Sequence, residues 1–393
     1  MKESKNLYAS RIELLEPSAT IAISSLARDL KAQGKDILSF SAGEPDFDTP
    51  TPIRDEAIRA LNSGFTHYTA VGGIPELLKA ICGKLERDNG LKYEPSEILV
   101  SNGAKHSLFN IFQALIDKGD EVLIPSPYWV SYPELVKYCG GKSIFLPTTE
   151  SQNFKITPEQ LKAAITPKTK ALVLNSPSNP TGMVYSQKEL ESLARVLKDS
   201  NIWVISDEIY EKLLYDGVFC SSAAVNADMY ERTIVVNGLS KAVAMTGWRV
   251  GYLACKDKNL VKLMNNLQSQ CTSNINSIAQ KASVVALNEC DNEIKEMCVA
   301  FKERMEVSYQ LFSTLSGIDI RKPQGAFYHF INIQNLCGGD SMKFCEELLQ
   351  KAGVALVPGS AFGQDGYVRF SFACDVDTIK QGIERIAKFI KES

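Results

Sequence analysis

Residues 237–252 read Asn237-Gly-Leu-Ser-Lys-Ala-Val-Ala-Met-Thr-Gly-Trp-Arg-Val-Gly-Tyr252. The apolar, β-branched run Thr233-Ile-Val-Val236 precedes the stretch and a second run, Val250 to Leu253, closes it. Two strands with a short loop between them are therefore predicted. Lys241 stands in that loop, crowded by Gly238, Ser240, Ala242 and Ala244, with Arg249 a little further on. A lysine with small neighbours, at a strand end and near a fixed cation, suits an amine that bonds covalently to an aldehyde cofactor beside its phosphate. A solvated lysine in a turn is the ordinary alternative, and the company it keeps elsewhere decides between them.

Upstream, strands alternate with helices. Strands are predicted at Ile98 to Val100, Glu121 to Ile124, Ser143 to Leu146, Ala171 to Leu174 and Trp203 to Ser206. Helical spacing marks Leu108 to Ile116, Tyr132 to Tyr138, Pro158 to Ala164 and Lys188 to Asp199. Such alternation predicts an α/β fold with a mostly parallel sheet covered by helices, and ligands then bind at the carboxyl ends of the strands. Gly103, Trp129, Asn179, Asp207 and Lys241 each fall just past a predicted strand. Ser101-Asn-Gly-Ala-Lys105, between strand and helix, makes an anion site from free N–H groups and the helix dipole. No Gly-x-Gly-x-x-Gly is present, and Gly140-Gly-Lys-Ser143 lacks the first glycine of a phosphate loop.

Asp207, in Ile205-Ser-Asp-Glu-Ile-Tyr210, is a carboxylate at the end of an apolar strand that can hold a cationic group of such a cofactor, with the Tyr210 hydroxyl close by in sequence. Asn179, in Asn175-Ser-Pro-Ser-Asn-Pro-Thr-Gly182, is a neutral hydrogen-bond donor on a loop stiffened by prolines. Trp129 offers a flat face for stacking. Arg369, between apolar strand residues in Tyr367-Val-Arg-Phe-Ser371, is costly to bury unless its fork grips a carboxylate.

These motifs together, above all Lys241 with Met245-Thr-Gly-Trp-Arg249, resemble the class I (fold type I) pyridoxal-phosphate-dependent aminotransferases. Within them the chain is similar to bacterial aspartate aminotransferases of subgroup I-beta, over nearly its whole length. The resemblance implies a seven-stranded large domain over 48–290 and a smaller α+β domain from 1–47 and 291–393. It implies pyridoxal 5′-phosphate on Lys241, which also carries protons, with Asp207 and Tyr210 as further catalytic groups: Asp207 on the ring nitrogen, Tyr210 and Asn179 on the ring oxygen, and Trp129 stacked on the ring. A phosphate cup of Gly103, Ala104, Arg249 and a Tyr68 lent by the other subunit of a homodimer follows from it, as do substrate contacts by Gly43, Trp129, Asn179, Arg369 and Lys105. An ordinary turn at Gly43 and a packing role for Tyr68 stay open on the residues alone.

The chain departs from the pattern in two places. Gly238 stands where many relatives carry a phosphate-binding serine, so Ser240 is the candidate replacement. No arginine occurs from Cys271 to Gln280, where animal-type relatives keep one for a second carboxylate. Lys105 is expected to serve instead. Some relatives also accept prephenate and carry a base before Pro-Ser-Ala-Thr; Glu16 is acidic and argues against prephenate here. Aromatic or neutral amino donors, or a β-lyase reaction, would share the same cofactor residues.

Composition fits a small-molecule enzyme. The 393 residues carry a formal net charge of −3, with 23% charged and 45% hydrophobic residues, which suggests neither nucleic acid nor a membrane surface as partner. No apolar run approaches a membrane span, and Met1-Lys-Glu-Ser-Lys-Asn lacks a signal-like apolar region. Ten scattered cysteines without Cys-x-x-Cys read as reduced thiols of a cytoplasmic protein, and three histidines make a metal centre unexpected.

Overall fold

The computed structural model describes residues 7–17 and 19–392. Its centre is a sheet of seven strands, Ile98–Asn102 (β1), Glu121–Ser126 (β2), Lys142–Pro147 (β3), Thr169–Asn175 (β4), Trp203–Asp207 (β5), Thr233–Gly238 (β6) and Val250–Ala254 (β7). They lie in the order β1-β7-β6-β5-β4-β2-β3. Parallel pairing joins β6, β5, β4, β2 and β3, whereas β7 is antiparallel to both β6 and β1. Helices cover both faces, so the middle strands are apolar almost throughout: Leu172, Val204, Ile205, Ile234, Val235 and Val236 are fully buried. Each such side chain stabilises the sheet by about 1.5–3 kcal/mol relative to exposure.

The observed strands and helices follow the predicted alternation, with three differences. Lys241 sits on a single helical turn, Leu239–Ala242, where a loop was expected. The small residues around it let the chain coil at once after β6. The helix after β1 begins at Ala104 instead of Leu108, so its free N–H groups stand nearer the site. Two helices, Lys258–Cys271 and Ser277–Glu289, fill a stretch left unassigned from the sequence. Their signals were the N-cap residues: Asp257 accepts from the Leu260 N–H and Asn276 from the Ala279 N–H.

A second, four-stranded antiparallel sheet is built from Asp319–Ile320 (β8), Tyr328–Asn332 (β9), Val357–Pro358 (β10) and Tyr367–Ser371 (β11), in the order β10-β11-β9-β8. Leu38–Ser39 pairs in parallel with Val354–Ala355, which ties the segment before Gly43 to the C-terminal part. Phe40 continues that tie by stacking on Phe370 at 4.2 Å. The sheets are clamped together at Gly182, whose carbonyl accepts from the N–H groups of Gln324 and Gly325 at 2.9 and 3.0 Å. A side chain there would strike Pro323 and the Gly325 carbonyl, and its φ of 69° suits glycine. Among the described residues no helix is long and apolar enough to cross a membrane.

Gly251 sets the spacing between β7 and the helix after β1, because a Cβ there would run into the backbone of Gly103 and Ala104. Gly251→Ala should destabilise the protein by about 1–3 kcal/mol, the usual cost of overpacking, and weaken cofactor capture as well. Thermal melts with and without cofactor check this; an unshifted melt in both states would contradict the close approach.

Candidate active site

Five chain segments reach one rim of the large sheet. β5 ends on Asp207, β4 on Asn175, and β6 runs into the turn that carries Lys241. β1 ends beside Gly103, and because β7 is reversed, its first residues meet the same edge: Asn102 pairs with Val250. Arg249 therefore arrives next to Gly103, whose missing Cβ leaves the place its guanidinium fills. β11 of the second sheet brings Arg369 in from the other side. Between them lies a cavity of about 680 Å³ lined by Gly43, Ala104, Lys105, Trp129, Asn179, Asp207, Tyr210, Ser240, Lys241, Arg249 and Arg369. Of the cofactor and substrate contacts expected from the sequence, Gly103 and Tyr68 are the two not in its wall. Gly103 lies directly behind Arg249. Tyr68 is 91% exposed and belongs to a loop outside the cavity.

Asp207 is buried, and its carboxylate accepts from the Tyr132 hydroxyl at 2.7 Å and from the Ile209 N–H at 3.3 Å. Burial pushes its carboxyl up to about 6, against the lowering effect of those two bonds and of the Lys241 charge. Among the described residues only neutral donors bond that carboxylate, and a bound cationic group would complete its pairing. Lys241 is depressed to about 8, first by burial, then by Arg369 and Arg249, with Glu44 and Asp207 opposing. Its Nζ donates to the Gly43 carbonyl. A lysine held near neutrality by its surroundings is an available nucleophile.

Arg369 is 2% exposed, and among the described residues no carboxylate pairs with it. Its Nη1 donates to Asn179 Oδ1 at 2.9 Å, its Nη2 to the Ser41 carbonyl at 2.8 Å, and its Nε has no partner among the described residues. A buried guanidinium with only neutral acceptors and spare N–H groups is a receptor for an anion. Lys105 lies over the Trp129 ring at 5.0 Å, and burial, with Arg249 second, lowers its ammonium. Ser240 is buried in the wall beside Lys241. Cations outnumber acids in the lining: Arg28, Lys105, Lys241, Arg249 and Arg369 face only Glu44 and Asp207.

Three contributors were not singled out from the sequence. Tyr132 holds Asp207, Tyr328 meets Tyr210 hydroxyl to hydroxyl at 2.8 Å, and Asn175 bonds both the Asp207 carbonyl and the Asn179 N–H. Tyr132 and Tyr328 are both buried, and only the fold shows what their hydroxyls touch. Glu16, expected to bear on prephenate, lies against the helix Ser131–Tyr138 and outside the cavity wall of the single chain. There its N–H donates to Glu134 Oε2 at 2.9 Å and its carboxylate stands 3.9 Å from Lys137.

Residues 35–386 match the family model for aminotransferases of class I and II. The chain belongs to that family. It is 47% identical to an aspartate aminotransferase of Bacillus sp. (strain YM-2) over 392 residues, 98% of this chain and 100% of that one. It is 46% identical to an aspartate/prephenate aminotransferase of Nitrosomonas europaea over 394 residues, 97% of this chain and 99% of that one. The crystal structure of the aspartate aminotransferase from Rhizobium meliloti superposes with a TM-score of 0.94 at 43% identity, covering 98% of each chain. The fold is thus that of the aspartate aminotransferases, fold type I, and membership of the family implies pyridoxal phosphate.

In the apoprotein the Lys241 amine should react with an amine-directed label along a pH curve centred near 8, since the neutral fraction rises as pH passes the lowered value. Peptide mapping of label incorporation against pH measures this. A midpoint above 10, where an ordinary lysine titrates, would contradict the site's electrostatics.

Proposed function

We propose that this aminotransferase moves the amino group between L-aspartate and 2-oxoglutarate, giving oxaloacetate and L-glutamate in two half-reactions. One observation carries the reading: two cations without carboxylate partners among the described residues, Arg369 and Lys105, line the same cavity as Lys241 and Asp207. A dicarboxylate would meet both. The names of the similar proteins, aspartate aminotransferases, support the same choice.

The residues fit pyridoxal phosphate by the chemistry of their donors. Lys241 would hold its aldehyde, Asp207 its ring nitrogen, and Asn179 with Tyr210 its ring oxygen. Trp129 would lie against the ring. The N–H groups of Gly103 and Ala104, the Ser240 hydroxyl and Arg249 would hold the phosphate. When bound, pyridoxal phosphate supplies an aldehyde that exchanges amines and a ring that accepts the electron pair left at the substrate Cα. Asp207, ionised above about pH 6, keeps a positive charge on the ring nitrogen favourable. With the cofactor bound, the Lys241 amine would be the base that takes the proton from the substrate Cα, which its value near 8 suits. Arg369 grips the α-carboxylate and Gly43 borders it, while Lys105 reaches the distal carboxylate as a flexible point charge.

We further read the protein as a cytoplasmic homodimer. The exposure of Tyr68, 91% on its own chain and outside its own cavity, supports a role in a neighbour's phosphate cup. All ten cysteines are unpaired, in keeping with a reducing compartment. A division into 48–290 and 1–47 with 291–393 is supported by the pairing of Leu38–Ser39 with Val354–Ala355.

A panel of amino donors assayed with 2-oxoglutarate tests the reaction: aspartate should lead, prephenate should be a poor acceptor, and glutamate should form stoichiometrically without release of ammonia. Lys105→Ala should weaken aspartate and glutamate by about 1.5–3 kcal/mol, the worth of a charged hydrogen bond, and spare alanine. Equal losses for alanine and aspartate would remove Lys105 from the distal site. Mixing Tyr68→Phe with Lys241→Ala protein tests the shared site. Subunit exchange should restore normal activity to at most a quarter of all sites, those that combine wild-type Lys241 with wild-type Tyr68. No gain on mixing would exclude the exchange of Tyr68.

A further inference from the structure

Tyr328 is completely buried, yet it touches both poles of the site through different parts of its side chain. In β9, side chains alternate between faces, and the register pairs Phe330 with Arg369 and Tyr328 with Ser371. Tyr328 and Arg369 therefore share a face as diagonal neighbours. The guanidinium carbon of Arg369 lies over the Tyr328 ring, 4.3 Å from its centre, with the Phe362 ring at 5.1 Å. At its far end the Tyr328 hydroxyl meets that of Tyr210 at 2.8 Å.

We propose that Tyr328 is a positioning residue for the amino transfer. Its ring fixes the plane of the Arg369 fork that receives the α-carboxylate, and its hydroxyl turns the Tyr210 O–H toward the cofactor oxygen. The proposal rests on the roles given above to Arg369 and Tyr210. The ring argument starts from what Arg369 lacks. No carboxylate among the described residues orients the guanidinium, and its two side-chain and backbone acceptors, Asn179 Oδ1 and the Ser41 carbonyl, restrain only its terminal nitrogens. An aromatic face stacked on the fork removes rotation about its long axis and offsets part of the cost of burying the charge.

The hydroxyl argument is one of counting hydrogens. Between two hydroxyls 2.8 Å apart a single hydrogen is shared, so one donates and the other is left free to donate elsewhere. If Tyr210 donates to an anionic oxygen in the cavity, Tyr328 must donate to Tyr210. Tyr210 is 4% exposed, so bulk water does not readily take that place. Gly43 keeps the arrangement open: a Cβ at Gly43 would stand 3.3 Å from the Tyr328 hydroxyl, and the Gly43 carbonyl already accepts from Lys241. Backbone bonds fix the start of β9. The Ala326 N–H donates to the Leu213 carbonyl at 2.9 Å, three residues past Tyr210, so the two tyrosines move as one piece.

The test uses the holoenzyme, with Tyr328→Phe and Tyr328→Leu compared against Tyr210→Phe and Arg369→Lys. Three readouts are needed: the pH titration of the visible absorbance, the Kd of the unreactive dicarboxylate succinate, and kcat with KM for aspartate. Tyr328→Phe keeps the ring and loses the hydroxyl. A donor to an anionic oxygen favours the unprotonated chromophore, so losing its support should move the titration midpoint to higher pH, in the direction of Tyr210→Phe but less far. Its kcat should fall roughly three- to tenfold, with succinate Kd and aspartate KM unchanged within about twofold. Tyr328→Leu should add about a tenfold loss in both succinate Kd and aspartate KM, the scale of a desolvated cation–ring contact. Tyr328→Met, which keeps bulk without a flat ring, gives the same reading if the leucine variant does not fold. A wild-type titration in Tyr328→Phe overturns the hydroxyl role, and succinate binding equal to that of Tyr328→Phe in the ringless variants overturns the platform. Unchanged titration in Tyr210→Phe, or unchanged succinate binding in Arg369→Lys, would instead remove the roles of those two residues.

Discussion

The backbone hydrogen bonds of β7, antiparallel to β1 on one side and to β6 on the other, decide which residues can meet in this protein. In a wholly parallel sheet, the start of a strand lies at the rim opposite its neighbours' ends. Reversal of β7 puts its start beside the ends of β1 and β6, so Arg249 reaches Gly103 and the Lys241 turn in one place. Gly251 permits that approach, since the backbone of Gly103 and Ala104 occupies the space of its absent Cβ. The anion-binding end of the helix Ala104–Leu115 is thereby given a cation as well as free N–H groups.

Electrostatics then follow from burial. Charged groups taken out of water move toward neutrality unless paired, and the cavity leaves several of them unpaired on the protein's own account. Lys241 falls to about 8 and Asp207 rises to about 6, each toward the range in which it can exchange a proton or respond to a bound charge. Arg369 cannot give up its proton, so its burial is compensated by neutral acceptors, aromatic faces and, on the reading above, the substrate itself. Where an ion pair is wholly internal the pattern differs: Lys84 and Glu211, both buried, satisfy each other and share Asn89, and nothing in that cluster is left for a ligand.

The second sheet supplies the other half of the site because it is held rigidly against the first. Gly182, next to the Asn179 loop, accepts from the turn that opens β9, and the Leu213 carbonyl accepts from the same turn. Asn179 and Arg369 are bonded across this junction at 2.9 Å. A group that binds the cofactor and a group that binds substrate are thus fixed relative to each other by backbone contacts distant from either.

The local pattern determined a good deal. Period-two and period-3.6 apolar runs laid out the alternating strands and helices. Of the residues placed just past strand ends, Trp129, Asn179, Asp207 and Lys241 line the cavity, with Gly103 behind Arg249, because in such sheets the carboxyl ends are where backbone and side chains are free. Lys241, Asp207, Asn179 and Arg369 were legible for that reason: each is a polar group set among small or apolar neighbours, where burial without a ligand would be costly. The roles of Tyr132 and Tyr328 were decided only by tertiary structure, since a tyrosine at a core position has the same local signal whether its hydroxyl is idle or bonded. The helical turn under Lys241 was also settled there, by packing against β7, as were the helices Lys258–Cys271, packed on Ala104–Leu115, and Ser277–Glu289, packed on Thr51–Asn62 and Pro75–Asn89. Tyr68 marks the boundary of the single chain. Its exposure is a consequence of the fold, and no periodicity in its own loop distinguishes a side chain left for a neighbour from one left for water.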